Sequence, residues 1–207
     1  MIDTHSRESS DVNSAGSTLY LVRHGETEWS LSGKHTSRTD IPLTENGEHQ
    51  ARKLGEHLRK ISFARVMCSP RLRAKRTCEL MQLGMPVHVD AELSEWDYGD
   101  YEGLTSSEIE SGRPDWNLWS DGCPDGESPA EVSARVDSVI RRVRAISGNV
   151  AVFSHGHFCC TLAARWMEQP IRCGQYFELS PATVSILGFA KHHASTPVVR
   201  LWNSSAI

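Results

Sequence analysis

The sequence predicts an α/β fold: a three-layer α/β/α sandwich with a mostly parallel central sheet. Three short, largely apolar runs indicate buried strands, at 19–22, 64–68 and 149–153. Each run ends at a polar segment that leads into a helical pattern. Repetition of strand and helix is typical of a parallel sheet with helices on both faces, so this order defines the fold class.

Helical patterns and a final pair of strands complete the predicted fold. Thr44 is the expected N-cap of the first long helix, because its hydroxyl can accept a hydrogen bond from a first-turn N–H. In a later pattern Val132, Val136 and Val139 share one apolar face. The predicted helices are 44–60, 69–83, 129–146 and 158–167, and strands 183–189 and 198–202 are expected to pair at one edge of the sheet.

The polar, serine-rich segment 1–16 lacks periodicity and is predicted to be a disordered tail. Residues 17–207 are predicted to form a single domain, with an irregular lid over about 104–128 that contains a short helix near 106–111. A chain of 207 residues is long enough for one sizeable core. Trp96, Trp116 and Trp119 could belong to this core, to a pocket wall or to an oligomer contact, so self-association stays open.

The composition limits the ligands and the cellular compartment that the sequence predicts. A net charge of −4 gives no indication of nucleic-acid binding, and the absence of a long apolar run predicts no membrane segment. Six scattered cysteines and no apolar leader predict a reduced, cytoplasmic protein. Neither His192-His193 nor the pair His155 and His157 has a carboxylate or cysteine at helical spacing, so no metal and no cofactor are predicted.

Two matched motifs suggest a phosphoryl-transfer site. Arg23-His24-Gly25 follows the first strand, and Ser154-His155-Gly156-His157 follows another. Strand ends of this kind are where open α/β sheets bind ligands. A guanidinium binds phosphate bidentately, and a neutral imidazole is a good nucleophile. A single histidine at a strand end is more often structural, but two matched instances predict a shared pocket, with the N–H groups of the helix after Gly156 facing it.

Two further segments lie between these motifs. Arg71 and Arg73 are too close in sequence to share a helix face, so one can point into the pocket while the other is solvated. The run 93–103 is dense in acids, aromatics and glycines. A partly desolvated carboxyl there has a raised pKa and could act as a general acid, although a solvated acidic loop is the alternative.

Taken together, these segments resemble the histidine phosphatase superfamily, also called the phosphoglycerate mutase-like family. The resemblance extends from Thr18 to Trp202 and is strongest for the branch that includes sedoheptulose bisphosphatases and bacterial acid phosphatases. The segments that carry it are RHGETEW (23–29), DIPLTENGEHQA (40–51), SPRLRAKRT (69–77), EWDYGDYEG (95–103) and SHGH (154–157).

The resemblance implies a role for each matching residue. His24 matches the nucleophile that becomes phosphorylated, and Glu95 matches the acid/base carboxylate. A protonated His155 is expected to join two arginines in neutralising the phosphoryl group. The implied substrate contacts are Arg23 and Arg73, the backbone of Gly156, the small polar residues Thr27 and Ser30, and the loop and aromatic residues His35, Thr36 and Tyr98.

The lid favours a phosphatase over a mutase. Between Asp100 and Ser128 the chain has eight acids and one base, Arg113. A mutase must retain and reorient a phosphorylated intermediate, which favours several bases over the pocket. The predicted function is therefore metal-independent hydrolysis of a small phosphorylated metabolite through a phosphohistidine, with an acidic to neutral pH optimum. A cofactor-dependent phosphoglycerate mutase is the alternative.

The substrate range and the catalytic group are less closely defined by these motifs. The bisphosphatase branch carries an arginine where this chain has Cys160, which implies a less selective phosphomonoesterase. A non-catalytic, phospho-ligand-binding member of the family is a second hypothesis, although every matching catalytic residue is present. A hydrolase with Cys159 or Cys160 as nucleophile is a third, although their place in a helix after an apolar strand suits buried cysteines better.

Overall fold

The computed structural model describes residues 16–193 and 195–206. The strands are β1 (Thr18–Arg23), β2 (Arg65–Cys68), β3 (Val87–Val89), β4 (Asn149–Ser154), β5 (Val184–Phe189) and β6 (Pro197–Ser204). The helices are α1 (Glu28–Ser32), α2 (Glu45–Leu58), α3 (Leu72–Met81), α4 (Ser106–Gly112), α5 (Leu118–Asp121), α6 (Pro129–Arg144) and α7 (Gly156–Trp166). The tail predicted over residues 1–16 lies, except for its last residue, outside the described residues.

The six strands form one mixed sheet in the order β3-β2-β4-β1-β5-β6. The pairs β1–β4, β4–β2 and β2–β3 are parallel, whereas β5 pairs antiparallel with β1 and with β6. The predicted fold class and the predicted edge pair are therefore confirmed. Since β1 and β4 are parallel neighbours, the residues that follow them lie side by side at one edge of the sheet.

Two apolar clusters pack against the sheet. One holds Leu19, Leu21 and the inner face of α6, together with Trp96, Trp116 and Trp119. The other packs Val22, Val66 and Phe153 against α2 and α3. All three tryptophans are buried in the first cluster, so the structure supports the prediction that they belong to the core. No helix of the described residues is long and apolar enough to span a bilayer.

Most of the short elements were not predicted. Strand β3, Val-His-Val, is exposed and has only three residues, too few for its apolar and polar alternation to mark a strand. Helix α1 has five residues and no buried side chain. In the lid, α4 was expected, but α5 was not, because four residues are too few to show helical periodicity.

Candidate active site

A cavity of about 240 Å³ opens where β1 and β4 end. Nine of the eleven predicted site residues line it, and the other two, Arg73 and His155, lie fully buried behind His24. The nine are Arg23, His24, Thr27, Ser30, His35, Thr36, Glu95, Tyr98 and Gly156. Segments that are far apart in sequence therefore meet at one cavity.

The backbone fixes the tautomer of His24. Its Nδ1 lies 2.8 Å from the carbonyl oxygen of Gly25, to which it donates, so Nε2 carries the free lone pair. Burial, followed by the charges of Arg73 and Arg23, lowers the pKa of His24 well below its ordinary value. The ring is consequently neutral at physiological pH, which is the form that can attack phosphorus.

Arg23 is the main cation in the cavity wall. One terminal nitrogen of its guanidinium donates to the carbonyl of Leu179. Its Nε is buried and has no hydrogen-bond partner among the described residues. A buried, unpaired guanidinium N–H beside a neutral histidine is suited to bind an oxyanion, because an anionic acceptor would satisfy it.

Two expectations for the buried pair need correction. Arg73 Nε donates to Nδ1 of His155 over 3.2 Å, and Nε2 of His155 lies 2.7 Å from the Ser69 hydroxyl. Because Nδ1 accepts a hydrogen bond, His155 is neutral in this structure rather than the expected cation. Burial and then the charge of Arg73 lower its pKa well below the ordinary value.

The main contacts of Arg73 are hydrogen bonds to the backbone of a neighbouring segment. Its terminal nitrogens donate to the main-chain oxygens of Thr36, Ser37 and Thr39 at 2.9–3.3 Å. These bonds hold the 36–39 segment against the start of α3. The predicted direct contact of Arg73 with the cavity is not present, because the guanidinium is already engaged by this segment and by His155.

Glu95 occupies the N-terminus of α7. One carboxylate oxygen accepts the N–H groups of Trp96 (2.9 Å) and Phe158 (2.7 Å), and the other accepts that of His157 (3.0 Å). Burial is the largest influence on the pKa of Glu95 and raises it, while these N–H groups and Arg73 oppose the rise. Two of the helix N–H groups expected to face the phosphoryl group are thus taken by Glu95, and that of Gly156 remains.

The small polar residues predicted to contact substrate already form hydrogen bonds within the protein. Thr27 and Ser30 line the cavity but also cap α1 reciprocally: the Thr27 hydroxyl accepts from Ser30 N, and the Ser30 hydroxyl accepts from Thr27 N. The Ser30 hydroxyl then donates to the Thr27 carbonyl, so its own proton is used. Thr36 likewise donates its hydroxyl to the Lys34 carbonyl.

A cluster of aromatic and imidazole rings forms one wall. Tyr98 Oη lies 2.6 Å from Nδ1 of His157, and His35 packs edge-on to Tyr98 and stacks beside His157. Burial, the neighbouring His35 and Arg23 lower the pKa of His157 to about 3. His157 belongs to the sequence motif but was not predicted as a site residue; its position two residues after His155, at the start of a helix, was the available signal.

Glu26 joins the loop that carries His24 to α2, a contact that the sequence did not reveal. Its carboxylate accepts from the Thr44 hydroxyl (2.7 Å) and from the Asn46 side-chain amide (3.0 Å). The loop and the helix also touch through two glycines. A Cβ on Gly25 would lie 2.6 Å from the Gly47 carbonyl oxygen, and one on Gly47 would lie 2.3 Å from the Glu26 oxygen.

We therefore expect Gly47→Ala to lower the free energy of unfolding by about 1–3 kcal/mol, since the backbone must separate to admit the methyl group. Activity should fall with it, because the same loop carries His24. Chemical denaturation measures the first effect. Gly112→Ala is the control: a Cβ there meets nothing within 4 Å, and stability should change by less than about 1 kcal/mol. Equal stability of the two variants would contradict the argument.

The vicinal cysteines do not support a thiol nucleophile. Cys159 and Cys160 are buried in α7, and Cys160 Sγ donates to the Phe177 carbonyl over 3.2 Å. Burial raises the pKa of Cys160 to about 12 and that of Cys159 well above its ordinary value. Both are therefore thiols at neutral pH, and the thiolate is the nucleophilic form.

The lid contributes Ser106 to the cavity lining, and its acids act elsewhere. Glu102 accepts from the main-chain N–H groups of Ser37 and Thr39, and Glu127 pairs with Arg135 at 2.6 Å. Arg113, the one base of the lid, pairs with Asp121 at 3.5 Å. No basic lid residue lines the cavity within the described part of the chain, as the phosphatase argument requires. Six of the eight acids are exposed to solvent, whereas Glu102 and Glu127 are half-buried.

Two neighbouring parallel strands thus deliver histidines to one cavity, beside an arginine and a buried carboxyl. This combination of sheet order and polar groups is that of the phosphoglycerate mutase-like histidine phosphatases. Comparison of the sequence identifies the family: residues 19–205 match the model of the histidine phosphatase superfamily (branch 1). The chain belongs to this superfamily.

Similar proteins of known name include phosphatases. An acid phosphatase of Mycobacterium tuberculosis is 42% identical over 176 residues, 83% of this chain and 86% of the relative. A sedoheptulose 1,7-bisphosphatase of Saccharomyces cerevisiae is 36% identical over 179 residues, 70% of this chain and 66% of the relative. The solved structure of a Mycobacterium tuberculosis open reading frame product superposes with a TM-score of 0.84 at 39% identity, covering 90% of this chain and 96% of that one.

Proposed function

We propose that this protein is a metal-independent phosphatase that hydrolyses small phosphate monoesters through a phosphohistidine on Nε2 of His24. The observation that carries the proposal is the pairing of that free nitrogen with the buried, unpartnered Nε of Arg23 in one cavity, among the residues that the structure describes. Phosphoryl transfer depends mainly on positioning and on fixed positive charge, and this pair supplies both.

The reaction would take two steps. In the first, Nε2 of His24 forms a bond to phosphorus while the bond to the ester oxygen breaks, and protonated Glu95 gives its proton to the leaving alkoxide. In the second, the Glu95 carboxylate takes a proton from water as the water oxygen attacks phosphorus. Phosphate leaves, neutral His24 is restored, and Glu95 is again protonated.

The cavity walls favour substrates with a single phosphate. Among the described residues, Arg23 and Lys34 are the cations that line it, and Lys34 Nζ lies 5.6 Å from the centre of the Trp29 ring. Cys160, Phe177 and Leu179 offer no charge to a second phosphate. The mycobacterial and yeast relatives are, by their names, phosphatases, which supports phosphate-ester hydrolysis. The yeast relative is named for a bisphosphate, so the preference for a single phosphate rests on the cavity lining alone.

The direct test is phosphate release from p-nitrophenyl phosphate, sugar phosphates and phosphoglycerates, measured with EDTA from acidic to mildly alkaline pH. We expect release from several monoesters, highest on the acidic side of neutrality. The ranking of the panel identifies the substrate. Interconversion of 2- and 3-phosphoglycerate without phosphate release would instead establish a mutase and overturn the proposal.

A further inference from the structure

A second cavity, of about 250 Å³, lies beside the catalytic one and shares Glu95 with it. The segment that Arg73 holds runs between the two: His35 and Thr36 line the catalytic cavity, and Ser37 and Arg38 line the second. The second cavity is therefore separate from the proposed phosphoryl site. Its volume is several times the roughly 30 Å³ that one water molecule takes in the liquid, so it can hold a small solvated ion.

One of the three arginines around this cavity has no ion-pair partner among the described residues. Arg38, Arg71 and Arg135 line the cavity, together with the carboxyl groups of Glu95, Asp97 and Glu127. Arg38 forms an ion pair with Asp97, and Arg135 pairs with Glu127 at 2.6 Å. Arg71 has no carboxylate within 4 Å among the described residues.

Arg71 is only partly engaged by the protein. One terminal nitrogen donates to the Arg38 carbonyl over 3.0 Å, while its Nε is buried without a hydrogen-bond partner in the described part of the chain. From the sequence, the arginine of this motif that the pocket does not use is expected to be solvated. Instead Arg71 lines a cavity of its own, with Ser94 on its wall.

We propose that this second cavity binds a small tetrahedral oxyanion of the phosphate type, with Arg71 as its principal ligand. An oxyanion would satisfy the buried Nε and give Arg71 the ionic partner that it lacks, and a guanidinium presents its N–H groups in the geometry that such anions accept. The Ser94 hydroxyl is a further donor. Arg71 and Arg73 hold the same 36–39 segment, so occupancy would be coupled to the wall of the catalytic cavity.

The test is calorimetric titration of the full chain with inorganic phosphate. We expect two sites per chain in the wild type. Arg71→Gln should weaken one of them at least tenfold, and Arg23→Met, which alters the catalytic cavity, should weaken the other. Arg141→Gln is the matched control, because Arg141 is exposed on α6, away from both cavities, and it should retain two sites. Glycerol phosphate, titrated into the His24→Ala variant so that it is not hydrolysed, distinguishes an ester from the free ion as the ligand.

Ser94→Asp gives a second variant that leaves Arg71 in place. A carboxylate there would add negative charge to the cavity wall and should abolish the same site by repelling an anion, with thermal melting as the check on folding. One wild-type site that is lost in Arg23→Met and unaffected by Arg71→Gln would overturn the inference while leaving the proposed phosphatase intact. A site that survives Arg23→Met and disappears in both Arg71→Gln and Ser94→Asp supports it, whether or not the enzyme hydrolyses esters.

Discussion

Replacing His24 by alanine should reduce kcat for phosphate monoesters by about 10⁴-fold or more, because the nucleophile itself is removed. In the wild type, rapid quenching during turnover should trap a phosphoenzyme. Its phosphorus should lie on Nε2, since Nδ1 of His24 is held by the Gly25 carbonyl at 2.8 Å. Phosphorus NMR of the denatured phosphoenzyme distinguishes the two nitrogens, and mass spectrometry locates the modified peptide.

The control is His49→Ala, which removes an exposed imidazole from α2 and should leave kcat unchanged. The cavity of the His24 variant should still bind phosphate through Arg23, which separates loss of chemistry from loss of binding. Full activity in His24→Ala would refute the phosphohistidine, and a phosphate on Nδ1 would refute the tautomer that the Gly25 contact implies.

Local features of the sequence were enough to predict the sheet and most of the cavity. The strands before His24 and His155 are short apolar runs, and each motif is contiguous, so their meeting at one sheet edge follows from parallel pairing. Helix capping could also be predicted, because it depends on residues close together in sequence. At the start of α2 the Thr44 hydroxyl accepts a hydrogen bond from Gly47 N, as predicted. The exposed strand β3 was missed because three residues are too few for a recognisable pattern.

Contacts between distant segments could not be predicted in the same way. Arg73 was expected at the phosphoryl group, yet three carbonyls of the 36–39 segment and His155 engage it. The charge of His155 depends on that contact, because whether Nδ1 accepts or donates is decided by a neighbour 82 residues away. The unpaired charge of Arg71 likewise emerges only when its neighbours among the described residues are located in space.

The proposed general-acid role of Glu95 leads to the second large expected effect. Burial raises the pKa of this carboxyl, so a larger fraction is protonated near neutrality than for an exposed glutamate. Burial lowers the pKa of His24, so that ring stays neutral well into the acid range. The active form has Glu95 protonated and His24 neutral. Activity should therefore fall as pH rises through the Glu95 pKa, and at the acid end as His24 protonates.

Glu95→Gln should lower kcat for alkyl phosphates by about 10²- to 10⁴-fold and remove the alkaline limb of the profile, since an amide neither donates nor takes the proton. With p-nitrophenyl phosphate, whose leaving group needs little protonation, the first step should survive better than the second. Stopped-flow absorbance should then show a burst of about one equivalent of p-nitrophenol per active site, followed by slow turnover, because water attack on the phosphohistidine still requires a base.

The burst separates a chemical role of Glu95 from a purely structural one. The Glu95 side chain also accepts three N–H groups at the start of α7, and a variant that merely disturbed this helix would slow both steps together and show no burst. Glu92→Gln is the matched control, because Glu92 is a partly exposed carboxylate paired with Arg142 outside the cavity. Retention of the alkaline limb in Glu95→Gln would assign that limb to another group and exclude Glu95 as the general acid.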